Sequence, residues 1–199
     1  MRLLKNLEKI SSFSVIACGF LLMGTSVFVA LEVVLRKFFS VSTKGADELS
    51  AYTFAVICAW SLSYTMINKG HIRIDFLYLK LPSLAQRFLD IISLLALAIF
   101  VSPMTYYAFK TLKTSIIRFS RANTPLQTPL WIPQALWFSG LLFFFTLVSV
   151  YILLIFKMAL KKEFKQIEAL AGCSTLEEEI EEEKGGLAMV AGQSEDRDS

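Results

Sequence analysis

Four stretches of this chain, residues 12–35, 49–67, 86–109 and 134–156, are long, apolar and nearly free of charge. Each runs for roughly 20 residues, the length a helix needs to cross a hydrocarbon core of ~30 Å. Water cannot satisfy backbone N–H and C=O groups there, so each run has to close its own hydrogen bonds as a helix. Composition agrees, with 55% hydrophobic residues, 17 Phe and a mean hydropathy of +0.56 over 199 residues. A soluble domain of this length is far less apolar. The expected fold is an all-α integral membrane protein with four transmembrane helices.

Charge places the connections. The sequence divides into a basic N-terminal segment (1–11), a first span (12–35), a loop (36–48) and a second span (49–67). A connection (68–85), a third span (86–109), a second outer connection (110–130), a fourth span (131–156) and a tail (157–199) follow. Segments 1–11, 68–87 and 157–165 hold 11 Lys/Arg, against 7 in 36–48 and 110–130. The positive-inside rule therefore sets both termini and the 68–85 connection in the cytoplasm. The tail differs: residues 166–199 carry 10 acids against 2 bases, whereas 1–165 carry 7 acids against 18 bases. With few periodic apolar positions, the tail is expected to be disordered toward its end.

Catalytic and metal chemistry find little support. Cys18, Cys58 and Cys173 are scattered without Cys-x-x-Cys or Cys/His spacing, so neither a disulfide framework nor a zinc site is indicated. "VIAC" (15–18) loosely matches a lipoprotein cleavage box, but the apolar run continues past Cys18, which argues for an uncleaved span. The only histidine stands in "NKGHIRIDFLYLKLP" (68–82). His71 and Asp75 share a face in a helix or a strand, yet two ligands do not make a metal site. No nucleophile is spaced to use that imidazole. A hydrogen-bonded pair fixing a loop is the expected role. A helix over about 72–81 would lie on the membrane as a short amphipathic segment, stopped by Pro82. Neither enzyme activity nor a cofactor is expected.

Within the spans, Glu32 is the one acid of the first run. An intramembrane carboxylate is a candidate for proton coupling; Arg36 at i+4 offers the plainer reading of an interfacial ion pair. Asp47 and Glu48 open the second span, where free N–H groups favour acids. Ala51, Ala55, Ala59 and Ser63 form a small-residue ridge on which another helix can pack closely, in this chain or another. Trp60 and Tyr64 are expected as packing or interfacial anchors, and Gly70 as the cap closing the span. Pro103 should kink the third span, and the Tyr-rich end at 104–109 should lie at the interface. The fourth span, with aromatics on all sides, is expected to meet lipid over much of its circumference.

The order of these features resembles the small membrane subunit of TRAP (tripartite ATP-independent periplasmic) transporters. The resemblance rests on Arg36 at the end of the first span, the paired acids Asp47 and Glu48, and Gly70, His71, Ile72, Ile74, Asp75 and Pro82 leading into the third. It covers roughly residues 10–160; the acidic run Glu177–Glu183 departs from it, and Asp47 stands where Glu is commoner. The resemblance implies a non-catalytic subunit of a sodium-coupled transporter in the bacterial inner membrane. Its partners would be a large elevator subunit and a periplasmic substrate-binding protein that delivers an organic acid such as a dicarboxylate. Nucleic acid is not among the expected partners; the lipid bilayer is.

On that reading the ridge Ala51/Ala55/Ala59/Ser63 faces the large subunit, and Lys44, Lys113, Arg118 and Arg121 are candidates for docking the binding protein. Two rivals stay open. One is a self-sufficient proton-coupled carrier that uses Glu32. The other is a membrane assembly factor that acts through its acidic tail.

Overall fold

The computed structural model describes residues 2–42, 44–68 and 82–160. It contains four helices: α1 (Arg2–Phe39), α2 (Ala46–Ile67), α3 (Ser83–Ile117) and α4 (Trp131–Leu160). Each is long and apolar enough to cross a membrane. At 1.5 Å per residue, α1 is ~57 Å long and α3 ~52 Å. Both overrun a hydrocarbon core of ~30 Å, so their ends project into the interfaces. The apolar runs of the sequence lie inside these helices, which extend further because polar residues next to a span also keep helical hydrogen bonds.

Packing sets the lateral order α1–α2–α4–α3, an open row. At the end where α1 begins it leans across, with Leu7 against a cluster of Met66, Val101, Phe144, Leu147 and Val148. The closest approach joins α2 to α4. A methyl group built on Gly140 would stand 3.0 Å from the Ala59 backbone carbon and 2.7 Å from Trp60 Cδ1. A glycine facing an alanine lets two backbones come together and gain dispersion contacts that lipid would not supply. Around that point Ala59, Ala108 and Leu141 are buried together. Trp60 closes over it, donating from Nε1 to the Leu136 carbonyl at 3.2 Å and stacking on Phe143 with ring centres 5.7 Å apart.

The fourth span is the middle of the row, with Leu141, Phe144, Leu147 and Val148 almost wholly buried against its neighbours while Leu136, Leu142, Leu153 and Phe156 stay exposed on its uncovered sides. Hydropathy cannot separate a helix surrounded by lipid from one surrounded by other helices, because both environments are apolar. Helix α3 continues through Pro103, where Ser102 and Thr105 hydroxyls bond back to the carbonyls of Ala98 and Val101. It then runs on to Ile117, two turns into the segment read as connection, with Leu112 and Ser115 buried. Asn68 closes α2 through its backbone N–H and through Nδ2 to the Tyr64 carbonyl. Gly70, expected as that cap, lies outside the described residues.

Candidate functional site

The side-chain chemistry gathers at one end of the row, where the 40–45 and 118–130 connections meet. Helix α3 ends in a Schellman turn: Phe119 N–H reaches the Ile116 carbonyl at 3.3 Å and Ser120 N–H the Ser115 carbonyl at 3.0 Å. Phe119 takes the left-handed position (φ 49°) that glycine ordinarily fills. The chain then folds back as a short hairpin. Ala122 N–H bonds the Thr128 carbonyl and Leu130 N–H the Ser120 carbonyl, both at 3.0 Å, with Arg121 and Pro129 bridged. Gln127 N–H to the Thr124 carbonyl, 3.0 Å, closes the tip, with Pro125 supplying the fixed φ such a turn favours at its second position.

Glu48 fastens that hairpin to α2. It stands in the first turn, little exposed, where the helix dipole favours an acid. Tyr52 donates to Oε1 at 2.9 Å and Thr124 donates to Oε2, with the Thr128 hydroxyl as a further partner. An ionised carboxylate has only acceptors, so hydroxyls brought from 76 residues away match it well. Beside it Leu126 sits on Gly45, where a Cβ would fall 2.2 Å from Leu126 Cδ1. Hairpin and α2 entry are therefore interlocked by one polar clasp and one apolar contact. Asp47, the other acid of the pair, stays exposed.

Glu32 ties down the first connection. It is 5% exposed and accepts from Ser42 Oγ at 2.6 Å, while Ser42 Oγ accepts the Lys44 N–H at 3.1 Å. The connection bends tightly enough to reach back, with Ser40 and Lys44 both at positive φ. A loop hydroxyl is thus one partner of Glu32; Arg36, the partner that helical spacing offers, is exposed. Lys44, Lys113, Arg118 and Arg121 are all exposed around this end.

The small-residue ridge is divided. Ala59 and Ser63 are buried inside the chain, Ser63 with its hydroxyl lacking a partner among the described residues. Ala55 is half-buried and Ala51 exposed. Ala51 lines an open groove of about 610 Å³ between α1 and α2, with Leu22, Thr25 and Val29 opposite. Thr25 donates to Thr53 at 3.2 Å along its floor.

Asp90, buried near the start of α3, was not singled out from the sequence. An acid within three residues of Arg87 at the head of a span was the available signal. Pro82 caps α3 in an extended conformation, its carbonyl accepting from Ala85 and Gln86. Gly70, His71, Ile72, Ile74 and Asp75 lie outside the described residues, as does the acidic tail. Among the described residues no three His, Cys, Asp or Glu side chains converge. What the site offers is geometry: acceptors holding two connections in one shape beneath a cationic surface.

One family model matches, the DctQ component of the tripartite ATP-independent periplasmic transporters, over residues 25–157. The chain belongs to this family. The match runs from the middle of α1 to the end of α4, so the clasp, the divided ridge and all four helices belong to the DctQ component. The protein is a small component of a TRAP transporter, multi-pass in the membrane, which works with other TRAP subunits. Comparison with curated proteins and with solved structures gave no match.

Proposed function

We propose that this component is a non-catalytic buttress for a large, moving membrane subunit of a sodium-coupled organic-acid transporter. It sits in the bacterial inner membrane with its clasped end in the periplasm. The observation that carries the reading is the open row. A helix row buries little of itself, and α1 in particular is gripped mainly along one side, with 11% of its apolar window buried. Such a wall has area to give to a larger partner and adds fixed mass that resists tilting while the partner slides. Its buried acids stand near helix ends and are engaged, whereas a coupling acid in a carrier belongs near the midplane.

The large subunit would pack against the open part of the ridge. Ala51 and the groove beside it accept close approach, while Ala59 and Ser63 stay committed to α4. The periplasmic end, with Lys44, Lys113, Arg118 and Arg121, would receive the substrate-binding protein through salt-sensitive contacts.

The test is a tagged pull-down from gently solubilised membranes, analysed for stoichiometry. One much larger, many-span protein per copy is the expected result. A homodimer that transports alone would favour the Glu32 carrier and sink the buttress.

A further inference from the structure

The groove between α1 and α2 is a break in the membrane-facing surface that the chain's own side chains leave unfilled. One wall is Leu22, Val29 and Ala30 of α1, the other Ser50, Ala51 and Phe54 of α2. Much of its polarity is spent internally. Thr25 meets the Leu21 carbonyl at 2.9 Å and the Thr53 hydroxyl at 3.2 Å, and Ser50 Oγ donates to the Asp47 carbonyl at 2.9 Å. What remains toward the bilayer is largely apolar, and an empty apolar groove forfeits dispersion contacts along its lining.

Length separates the occupants. From Leu22 to Ala30 the groove runs ~12 Å along α1, close to the ~15 Å of hydrocarbon in one leaflet. It starts near the middle of the apolar run 12–35 and ends on the side where α1 meets its connection. On the other side of Leu22 the seam is closed, with Cys18 buried. A partner's transmembrane helix needs a contact running through both leaflets. An acyl chain needs only one.

Charge stands where the head of such a lipid belongs. Arg36 and Lys37 are seven residues beyond Val29 and Ala30, two turns further along the same face of α1 and ~10 Å up its axis. Both are exposed. Long basic side chains at a helix end lay their stems along apolar surface and hold their charge among the headgroups. Of the acids at this end, Glu32 is engaged by Ser42 and Glu48 by the hairpin. That leaves exposed Asp47 against Arg36, Lys37 and Lys44.

We infer that the α1–α2 groove is a binding site for one phospholipid of the leaflet on this side, with its acyl chain between Val29 and Ala51 and its phosphate on Arg36 and Lys37. The two cations select anionic headgroups. The site belongs to this chain alone; the large subunit proposed above would meet a groove already filled.

The test reconstitutes the full chain, without any other subunit, in nanodiscs of equal parts phosphatidylglycerol and phosphatidylcholine. Native mass spectrometry after transfer to a mild detergent then counts the lipid retained. One phospholipid per chain is expected, with phosphatidylglycerol favoured roughly tenfold. A51L and A30L fill the groove and should lower retention of both lipids about tenfold. G24L adds the same bulk outside the groove, where a Cβ meets nothing within 4 Å, and should retain the lipid. R36Q with K37Q should abolish the headgroup preference while a chain is still held. Phosphatidylglycerol carrying a diazirine on its acyl chain should crosslink to residues 22–30 and 50–54.

Retention by A51L and A30L at the wild-type level overturns the site. So does crosslinking spread evenly around α1, the result for annular lipid only. An unchanged preference in R36Q with K37Q overturns the headgroup assignment. Each of these results leaves the buttress standing, whereas a chain that keeps its lipid and captures no large subunit fails the buttress alone.

Discussion

Glu48 shows how little of a polar site local sequence can reveal. The paired acids Asp47 and Glu48 read as helix-start residues, and both occupy the first turn of α2. Which of them is used depends on Thr124 and Thr128, brought back by the hairpin. Replacing Glu48 with alanine should leave three hydroxyls without their acceptor and speed hydrogen exchange across 120–130, read by mass spectrometry in detergent. Asp47→Ala should leave that exchange unchanged. If both behave alike, the clasp is not what orders the hairpin. The same reasoning explains Glu32. Helical spacing offers Arg36 at i+4, but an exposed guanidinium is strongly solvated at an interface, and the Ser42 hydroxyl reaches the buried carboxylate at less entropic cost. A partner that arrives through a bend containing two left-handed residues leaves no periodic signal.

At the scale of the helices, the sequence is a far better guide. Four apolar runs are legible because lipid admits nothing but a helix at those lengths. Lateral order is not, since it turns on a single close approach. Gly140 is one glycine in a leucine- and phenylalanine-rich span, and only its position opposite Ala59 makes it decisive. Gly140→Ala should press on the Ala59 backbone, which cannot step aside as a side-chain tip can, and cost about 1–3 kcal/mol. The measurement is the thermal midpoint of the purified chain in a mild detergent. Gly19→Ala serves as control, because a Cβ there meets nothing within 4 Å and adds helix propensity. Equal loss in both would remove Gly140 as the α2–α4 contact. The ridge illustrates the same limit. Small residues every fourth position announce a packing face, but size alone cannot say that Ala59 and Ser63 serve this chain while Ala51 is left open.

For the molecule as a whole, an open row makes a specific demand on its surroundings. Ala51→Leu adds bulk on the uncommitted part of the ridge without touching the α2–α4 seam. The expected outcome is loss of the large subunit from the complex with normal insertion of this chain, read by co-purification and protease protection. Ala55→Leu, on a half-buried position, should do the same and also lower the thermal midpoint. Retention of the partner by both variants would move the contact to α1, whose outer side is the other large apolar surface. Truncation separates the remaining rival. Removing residues 166–199 deletes ten acids and shifts the formal charge from +3 to +11, yet leaves every helix of the row intact. A buttress keeps its partner and its transport after that change, because its contacts are made by helix faces. An assembly factor acting through an acidic tail loses its partner while the membrane-embedded part remains correctly folded. Co-purification from cells expressing the truncated chain therefore distinguishes the two by a presence or an absence, and the row itself serves as the internal control.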